Sequence, residues 1–250
     1  MMRKHVVGAL VAAATLGIGV LLQAQQPPAQ AAGGGAQDQV AALKQSMQKG
    51  MALARTYEWV ETTIISLKGE EKARKQNRCY YGADGKVQKI SLDAPPAAEK
   101  EQGGRAGRRG GGKVKDKIVE NKKDEMKEYM EKAAALIHQY VPPNPEKIQA
   151  AKDAKRVAVN PQAGGKVQIV VSQYLLPGDS LTLDLDTASS RLLGLGVKSY
   201  LDKPEETVTL AVTMNTLPDG ALYASQTTLK AKAKNITVVI QNSGHKPASK

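Results

Sequence analysis

The sequence has no phenylalanine, one tryptophan and one cysteine among its 250 residues. Because a single cysteine cannot form an internal disulfide, the folded chain must be stabilised by an apolar core. Without phenylalanine, that core has to be built from leucine, valine, isoleucine, alanine, methionine and tyrosine. The residues around Cys79 are typical of a strand, and we expect its thiol to be buried rather than reactive.

The common signatures of catalytic and cofactor sites are missing as well. The three histidines, His5, His138 and His245, are far apart, with His245 expected in a C-terminal tail, and no spacing typical of a zinc site occurs. No nucleophile-elbow pattern and no phosphate-binding glycine pattern appears. Asp184 and Asp186 share one strand face, as paired carboxylates would, but the solvated face of a strand has the same pattern. The sequence therefore predicts a protein that is not an enzyme and uses no cofactor or metal.

Residues 1–24 have the features of an export signal. Two basic residues precede an uncharged apolar run over residues 6–22, and small-residue cleavage sites end at Ala24 and Ala31. An uncleaved membrane anchor is the alternative, since a span needs about 20 apolar residues. We expect a bacterial protein that is periplasmic or secreted after cleavage of the signal.

The rest of the chain predicts one domain over residues 37–245, preceded by a flexible low-complexity lead-in over residues 25–36. Residues 93–115 are rich in proline, glycine and arginine, a composition that cannot bury apolar surface and predicts a mobile loop.

The net charge of +12 predicts attraction to anionic surfaces. The candidate contacts in the loop are Arg105, Arg108, Arg109 and Lys113. The loop lacks the aromatic residues that stack on bases, so an anionic lipid or glycan is favoured over nucleic acid. A basic module of the cell envelope is therefore an alternative function, as is a structural envelope protein.

Three segments have helical patterns. One begins at Asp38, and a second, over residues 117–140, carries a single apolar stripe. Consecutive prolines end the second helix, and a short third helix follows over residues 146–154, with Asn144 as its cap and Pro145 at its first position.

From Arg156 onward the chain alternates between apolar and polar residues, interrupted by turn sequences. This pattern indicates a long antiparallel meander with one apolar face, which must be covered or must curl. The prediction is an α+β fold in which a strongly curved antiparallel sheet of about nine strands wraps around two or three helices.

Two segments of the C-terminal half resemble a known family. Residues 174–184, with the sequence YLLPGDSLTLD, and residues 217–223, LPDGALY, are similar to strand and turn motifs of the LolA/LolB-like periplasmic lipoprotein carriers. The resemblance implies a half-barrel, and a role in lipid binding and in the transport and sorting of outer-membrane lipoproteins. The expected partner is a lipid or a lipoprotein acyl chain, which the resemblance places between the sheet and the helices. We expect the protein to be a monomer.

Under this resemblance, the ligand would contact inward strand residues and the apolar stripe of the long helix. The candidate lining residues are Leu181, Leu183, Leu185, Val208, Leu210, Val212, Met126, Met130 and Ile137. Each of them also fits the simpler interpretation of an ordinary core residue.

Overall fold

The computed structural model describes the backbone of residues 35–93 and 112–248, and the side chains of residues 42–93 and 124–248. The predicted export signal lies outside the described residues, as do most of the lead-in and most of the loop. Helices begin at Gly35 and Gly112, inside the two segments that were predicted to lack regular structure.

The described part of the chain forms three α-helices and ten strands. The helices are α1 Gly35–Ala54, α2 Gly112–His138 and α3 Pro145–Asp153. The strands are β1 Tyr57–Leu67, β2 Glu70–Tyr81, β3 Val87–Ser91, β4 Val157–Gln162, β5 Lys166–Ser172, β6 Ser180–Asp186, β7 Arg191–Tyr200, β8 Thr207–Thr216, β9 Leu222–Ala231 and β10 Ile236–Pro247. A short 3-10 turn, Lys232–Lys234, joins β9 to β10.

All ten strands belong to one antiparallel sheet, in the order β3-β2-β1-β10-β9-β8-β7-β6-β5-β4. Strand β10 pairs with β1, so the last strand joins the N-terminal hairpins to the meander. The sheet is open and curved, and the predicted α+β class with a curved antiparallel sheet is confirmed. Strand β10 continues to Pro247, beyond residue 245, where the sequence placed the end of the domain.

Curvature follows from irregularities in the strand pairing. The register shifts between Asp184 and Leu185 in β6, and again between Thr213 and Met214 in β8. Such bulges bend a strand and increase its twist. Next to them, a Cβ at Gly194 of β7 would lie 2.9 Å from the carbonyl oxygen of Val212. A glycine is therefore needed at this position, where β7 passes close to the backbone of β8.

The helices cover one face of the sheet and share its apolar core. Leu43 and Met47 of α1, Ile137 of α2 and Ile148 of α3 are at most 4% exposed and pack in one cluster with the inward strand residues. The start of α3 is as predicted: the Asn144 side chain accepts hydrogen bonds from two backbone N–H groups of the first turn, and proline follows it. Among the described helices, none is long and apolar enough to cross a bilayer.

A tight contact at Gly50 positions α1 on the sheet. A Cβ at this residue would lie 2.7 Å from the Cβ of Leu222 in β9. We expect Gly50→Leu to lower the free energy of unfolding by about 1–3 kcal/mol, because overpacking displaces the helix. Ala52→Leu, at an exposed position of the same helix, is the control, since leucine is a good helix former. Equal stability of the two variants in urea unfolding would contradict this placement of α1.

Candidate apolar ligand site

The sheet brings together the six strand residues that the sequence indicated as ligand-lining. Five of them are at most 2% exposed: Leu181, Leu183, Leu185, Val208 and Leu210. Val212, next along β8, is half-buried and packs against the same core. The period-two alternation produces this arrangement, since every second side chain of a strand points to the same face.

The candidate residues on the long helix also differ in how deeply they are buried. Ile137 is fully buried near the end of α2, whereas Met126 and Met130 are half-buried against the core. These methionines are four residues apart and so lie on the same side of the helix. All nine candidates therefore contribute to one apolar cluster, six at its packed centre and three at its margin.

The margin also contains residues that the sequence reasoning did not single out. Met51 of α1 and Met214 of β8 are half-buried against the same core. Methionine is unbranched and adaptable, and it is favoured at surfaces that must repack around different partners. The helical stripe pattern of α1 and the alternation of β8 were the signals that could have identified these two residues.

A buried carboxylate fixes the turn between β5 and β6. Asp179 is 2% exposed, and its Oδ1 accepts a hydrogen bond from the backbone N–H of Tyr174 at 2.6 Å. Its Oδ2 accepts two more, from the N–H groups of Leu175 and Leu176 at 3.0 and 2.7 Å. One side chain thus satisfies three backbone donors of the YLLPGD segment, residues 174–179, which gives a physical reason for the aspartate in that sequence.

The same carboxylate connects the long helix to the sheet. The hydroxyl of Tyr140, just beyond the end of α2, donates to Oδ2 of Asp179. Because that proton is engaged, the Ser199 hydroxyl of β7 is the donor in its 2.7 Å contact with the tyrosine oxygen. Burial, with a further contribution from the Asp179 hydrogen bond, raises the pKa of Tyr140 well above its usual value. The network of Tyr140, Asp179 and Ser199 is called the helix anchor below.

The N-terminal strands hold a second buried polar group. Glu61 is 6% exposed and accepts from the Lys89 ammonium at 2.5 and 2.7 Å, which joins β1 to β3. Cys79 is fully buried beside this pair. Burial, and secondarily the charge of Glu61, raises the pKa of the Cys79 thiol to about 11. The structure confirms that Cys79 is a buried residue.

The raised pKa of Cys79 predicts an unreactive thiol. Only the thiolate attacks alkylating reagents, and at pH 8 a thiol with a pKa of about 11 is almost entirely protonated. We expect iodoacetamide to leave Cys79 unmodified at pH 8 in the folded protein and to modify it fully in denaturant, with mass spectrometry as the readout. Rapid modification of the folded protein at pH 8 would contradict this environment.

The other aspartate and histidine residues that were considered for catalysis or metal binding have ordinary structural surroundings. Asp184 accepts a hydrogen bond from the Gln168 amide at 3.0 Å on the outer face, and Asp186 caps a turn through Ser189. His138 is exposed at the end of α2. His245, which the sequence suggested to be in a tail, lies within β10 and contacts aromatic rings, and burial lowers its pKa.

Arg105, Arg108 and Arg109 lie outside the described residues, so their predicted contact with an anionic surface stays a prediction. Lys113 falls within α2, but its side chain also lies outside the described set. Within the part of the chain whose side chains are described, no group of three or more histidine, cysteine, aspartate or glutamate side chains could hold a metal ion.

The described residues thus form a curved antiparallel sheet whose apolar face is covered by helices. No family model and no curated protein matches the chain. Two solved structures are similar to it. One is a DUF1329 family protein from Desulfovibrio piger, which is 9% identical, with a TM-score of 0.35 and coverage of 83% of this chain and 92% of that chain.

The other similar structure is a LolA superfamily protein from Nitrosomonas europaea. It is 7% identical, with a TM-score of 0.35 and coverage of 83% of this chain and 94% of that chain. It belongs to the superfamily that the sequence motifs resemble. At this TM-score neither likeness carries an inference about function, which has to come from the residues of this chain.

Proposed function

We propose that this protein is an exported, non-catalytic binding protein for a lipid, a lipoprotein acyl chain or another apolar ligand. The ligand would lie between the inner face of the sheet and the helices. One observation carries the proposal: the apolar face of the sheet is covered by amphipathic helices whose contact includes half-buried methionines at positions 51, 126 and 130. A cover of this kind can repack around a ligand at low cost.

Ligand entry requires the helices to move. Leu183 and Ile137 have no exposed surface, so an acyl chain reaches them only after a helix is displaced. Met126, Met130 and Val212 are accessible first, because they are already partly exposed. Burial of each methylene contributes about 0.8 kcal/mol, so ten methylenes supply roughly 8 kcal/mol towards displacing the cover.

The helix anchor supports a hinged rather than a detached cover. It holds the C-terminal end of α2 to the sheet through Tyr140, Asp179 and Ser199. Met126 and Met130 lie further towards the N-terminal end of the same helix. We infer that α2 opens from this N-terminal end while the anchor stays closed.

Native mass spectrometry of protein isolated from a bacterial periplasm tests the proposal. We expect a chain that begins after Ala24 or Ala31, with the mass of a monomer and with bound acyl-chain species. After delipidation, the protein should take up a fluorescent fatty acid in a saturable manner. A clean apo mass together with no uptake would contradict the proposed binding function, and a chain retained in the cytoplasm would contradict export.

A further inference from the structure

The outer face of the sheet carries a pocket that is separate from the apolar site. It has a volume of about 350 Å³ and lies where the β1–β2 and β9–β10 turns meet the ends of the neighbouring strands. Its polar lining includes Lys68, Lys230, Lys232, Asn235, Thr209 and Thr237. Three lysines, two threonines and one asparagine therefore contribute to the lining of the pocket.

The strand register explains how these side chains meet. Lys230 of β9 is directly opposite Thr237 of β10 on one side and Thr209 of β8 on the other. The neighbours Val208 and Leu229 are buried in the core. Because side chains alternate along a strand, the row formed by Thr209, Lys230 and Thr237 lies on the opposite, outer face.

The two turns that flank this row are fixed to each other. The backbone N–H of Lys68 donates to the carbonyl oxygen of Asn235 at 2.8 Å. Both residues have left-handed backbone conformations, with φ of 54° at Lys68 and 51° at Asn235. This conformation is uncommon for lysine, whereas asparagine adopts it more readily. The β1–β2 turn, which carries Lys68, is therefore held beside the β9–β10 turn, which contains Lys232 and Asn235.

The charge of these lysines is not neutralised within the described part of the chain. No carboxylate there forms an ion pair with Lys68, Lys230 or Lys232. The acid nearest to Lys68 along the chain, Glu70, is engaged by Lys72 at 2.5 Å. A concave site with three unpaired cations and adjacent hydroxyl donors attracts an anion rich in oxygen.

We propose that this outer pocket binds a phosphoryl group, either of a lipid headgroup or of free phosphate. The tetrahedral oxyanion offers enough acceptors for three ammonium groups and for the Thr209 and Thr237 hydroxyls together. The pocket lies on the face opposite to the apolar core. Its ligand binding is therefore independent of the proposed acyl-chain function, and either could fail without the other.

Titration of the ¹⁵N-labelled protein with inorganic phosphate, followed by NMR, tests this assignment. We expect saturable shifts of the backbone amide signals of Lys68, Lys230, Lys232, Asn235 and Thr237. The triple variant K68Q/K230Q/K232Q should bind phosphate at least about tenfold more weakly, because it lacks all three charge-assisted bonds. The absence of saturable shifts at these residues would overturn the proposal, as would unchanged phosphate affinity of the triple variant.

A matched control separates a built site from net charge. K75Q/K86Q/K166Q removes three exposed lysines, two from other strands and one from the β2–β3 turn, and changes the net charge by the same amount. We expect it to retain the phosphate affinity of the unmodified protein. If both triple variants lose affinity equally, the attraction is only general electrostatics and the pocket is not a site.

Vesicles distinguish the two sources of the phosphoryl group. Binding to phosphatidylglycerol vesicles at about 0.15 M salt, where long-range attraction is screened, should be lost in K68Q/K230Q/K232Q if the ligand is a lipid headgroup. Vesicle binding that is absent, or equal in that variant and the unmodified protein, would assign the pocket to free phosphate and exclude the headgroup.

Discussion

Replacement of Asp179 by alanine is expected to lower the free energy of unfolding by about 3–5 kcal/mol. The carboxylate accepts three backbone hydrogen bonds and one from Tyr140 in a site that is 2% exposed. Its removal leaves these donors without a partner in the interior, and each buried unsatisfied donor costs about 1–3 kcal/mol. Urea unfolding followed by circular dichroism measures the change.

Two further variants show whether the loss comes from the helix anchor. Tyr140→Phe removes only the hydrogen bonds of the hydroxyl, so we expect a smaller loss of about 1–2 kcal/mol. Asp84→Ala removes an exposed turn carboxylate that accepts from the N–H of Lys86, and we expect a change within about 0.5 kcal/mol. Equal effects of Asp179→Ala and Asp84→Ala would contradict the central position of Asp179.

Val212→Asp is expected to reduce the uptake of a fluorescent fatty acid by at least about tenfold. Val212 is half-buried on the inner face of β8 and packs against the apolar core. An aspartate can remain hydrated there without a ligand, but an acyl chain would have to remove water from the carboxylate, which is costly. Equilibrium fluorescence titration of the delipidated protein gives the affinity.

Ala211→Asp is the matched control, since it introduces the same charge one residue earlier. Ala211 is exposed, and the alternation of the strand places it on the outer face. We expect this variant to take up the fatty acid as well as the unmodified protein. If both variants take up ligand normally, or if both fail, the inner face of β8 is not the binding surface.

Local sequence patterns predicted much of the fold. The alternation of Leu181, Leu183 and Leu185 identified the buried face of β6, since a period of two places these side chains on one side. The cap at Asn144 was predictable because it depends on neighbouring residues alone. Burial of Cys79 followed from its strand context and from the lack of a second cysteine.

The helix anchor could not be predicted in this way, because its three members come from distant parts of the chain. Tyr140 and Ser199 are 59 residues apart, and only the folded sheet brings them together. The outer pocket was missed for the same reason: the sequence separates Lys68 from Lys230, and pairing of β1 with β10 closes that gap. His245 was misplaced because its segment, with glycine and lysine neighbours, lacks the alternation that indicates a strand.

Contacts between an acyl chain and the methyl groups of Val212, Met126 and Met130 test the central claim most directly. They can be measured as intermolecular nuclear Overhauser effects between the protons of the fatty acid and the methyl protons of a protein that is otherwise deuterated. If the ligand lies beneath the helices, these three methyl groups contact it. Contacts confined to outer-face methyl groups such as those of Val170 and Val239 would contradict the claim, and the inner face would then be only a core.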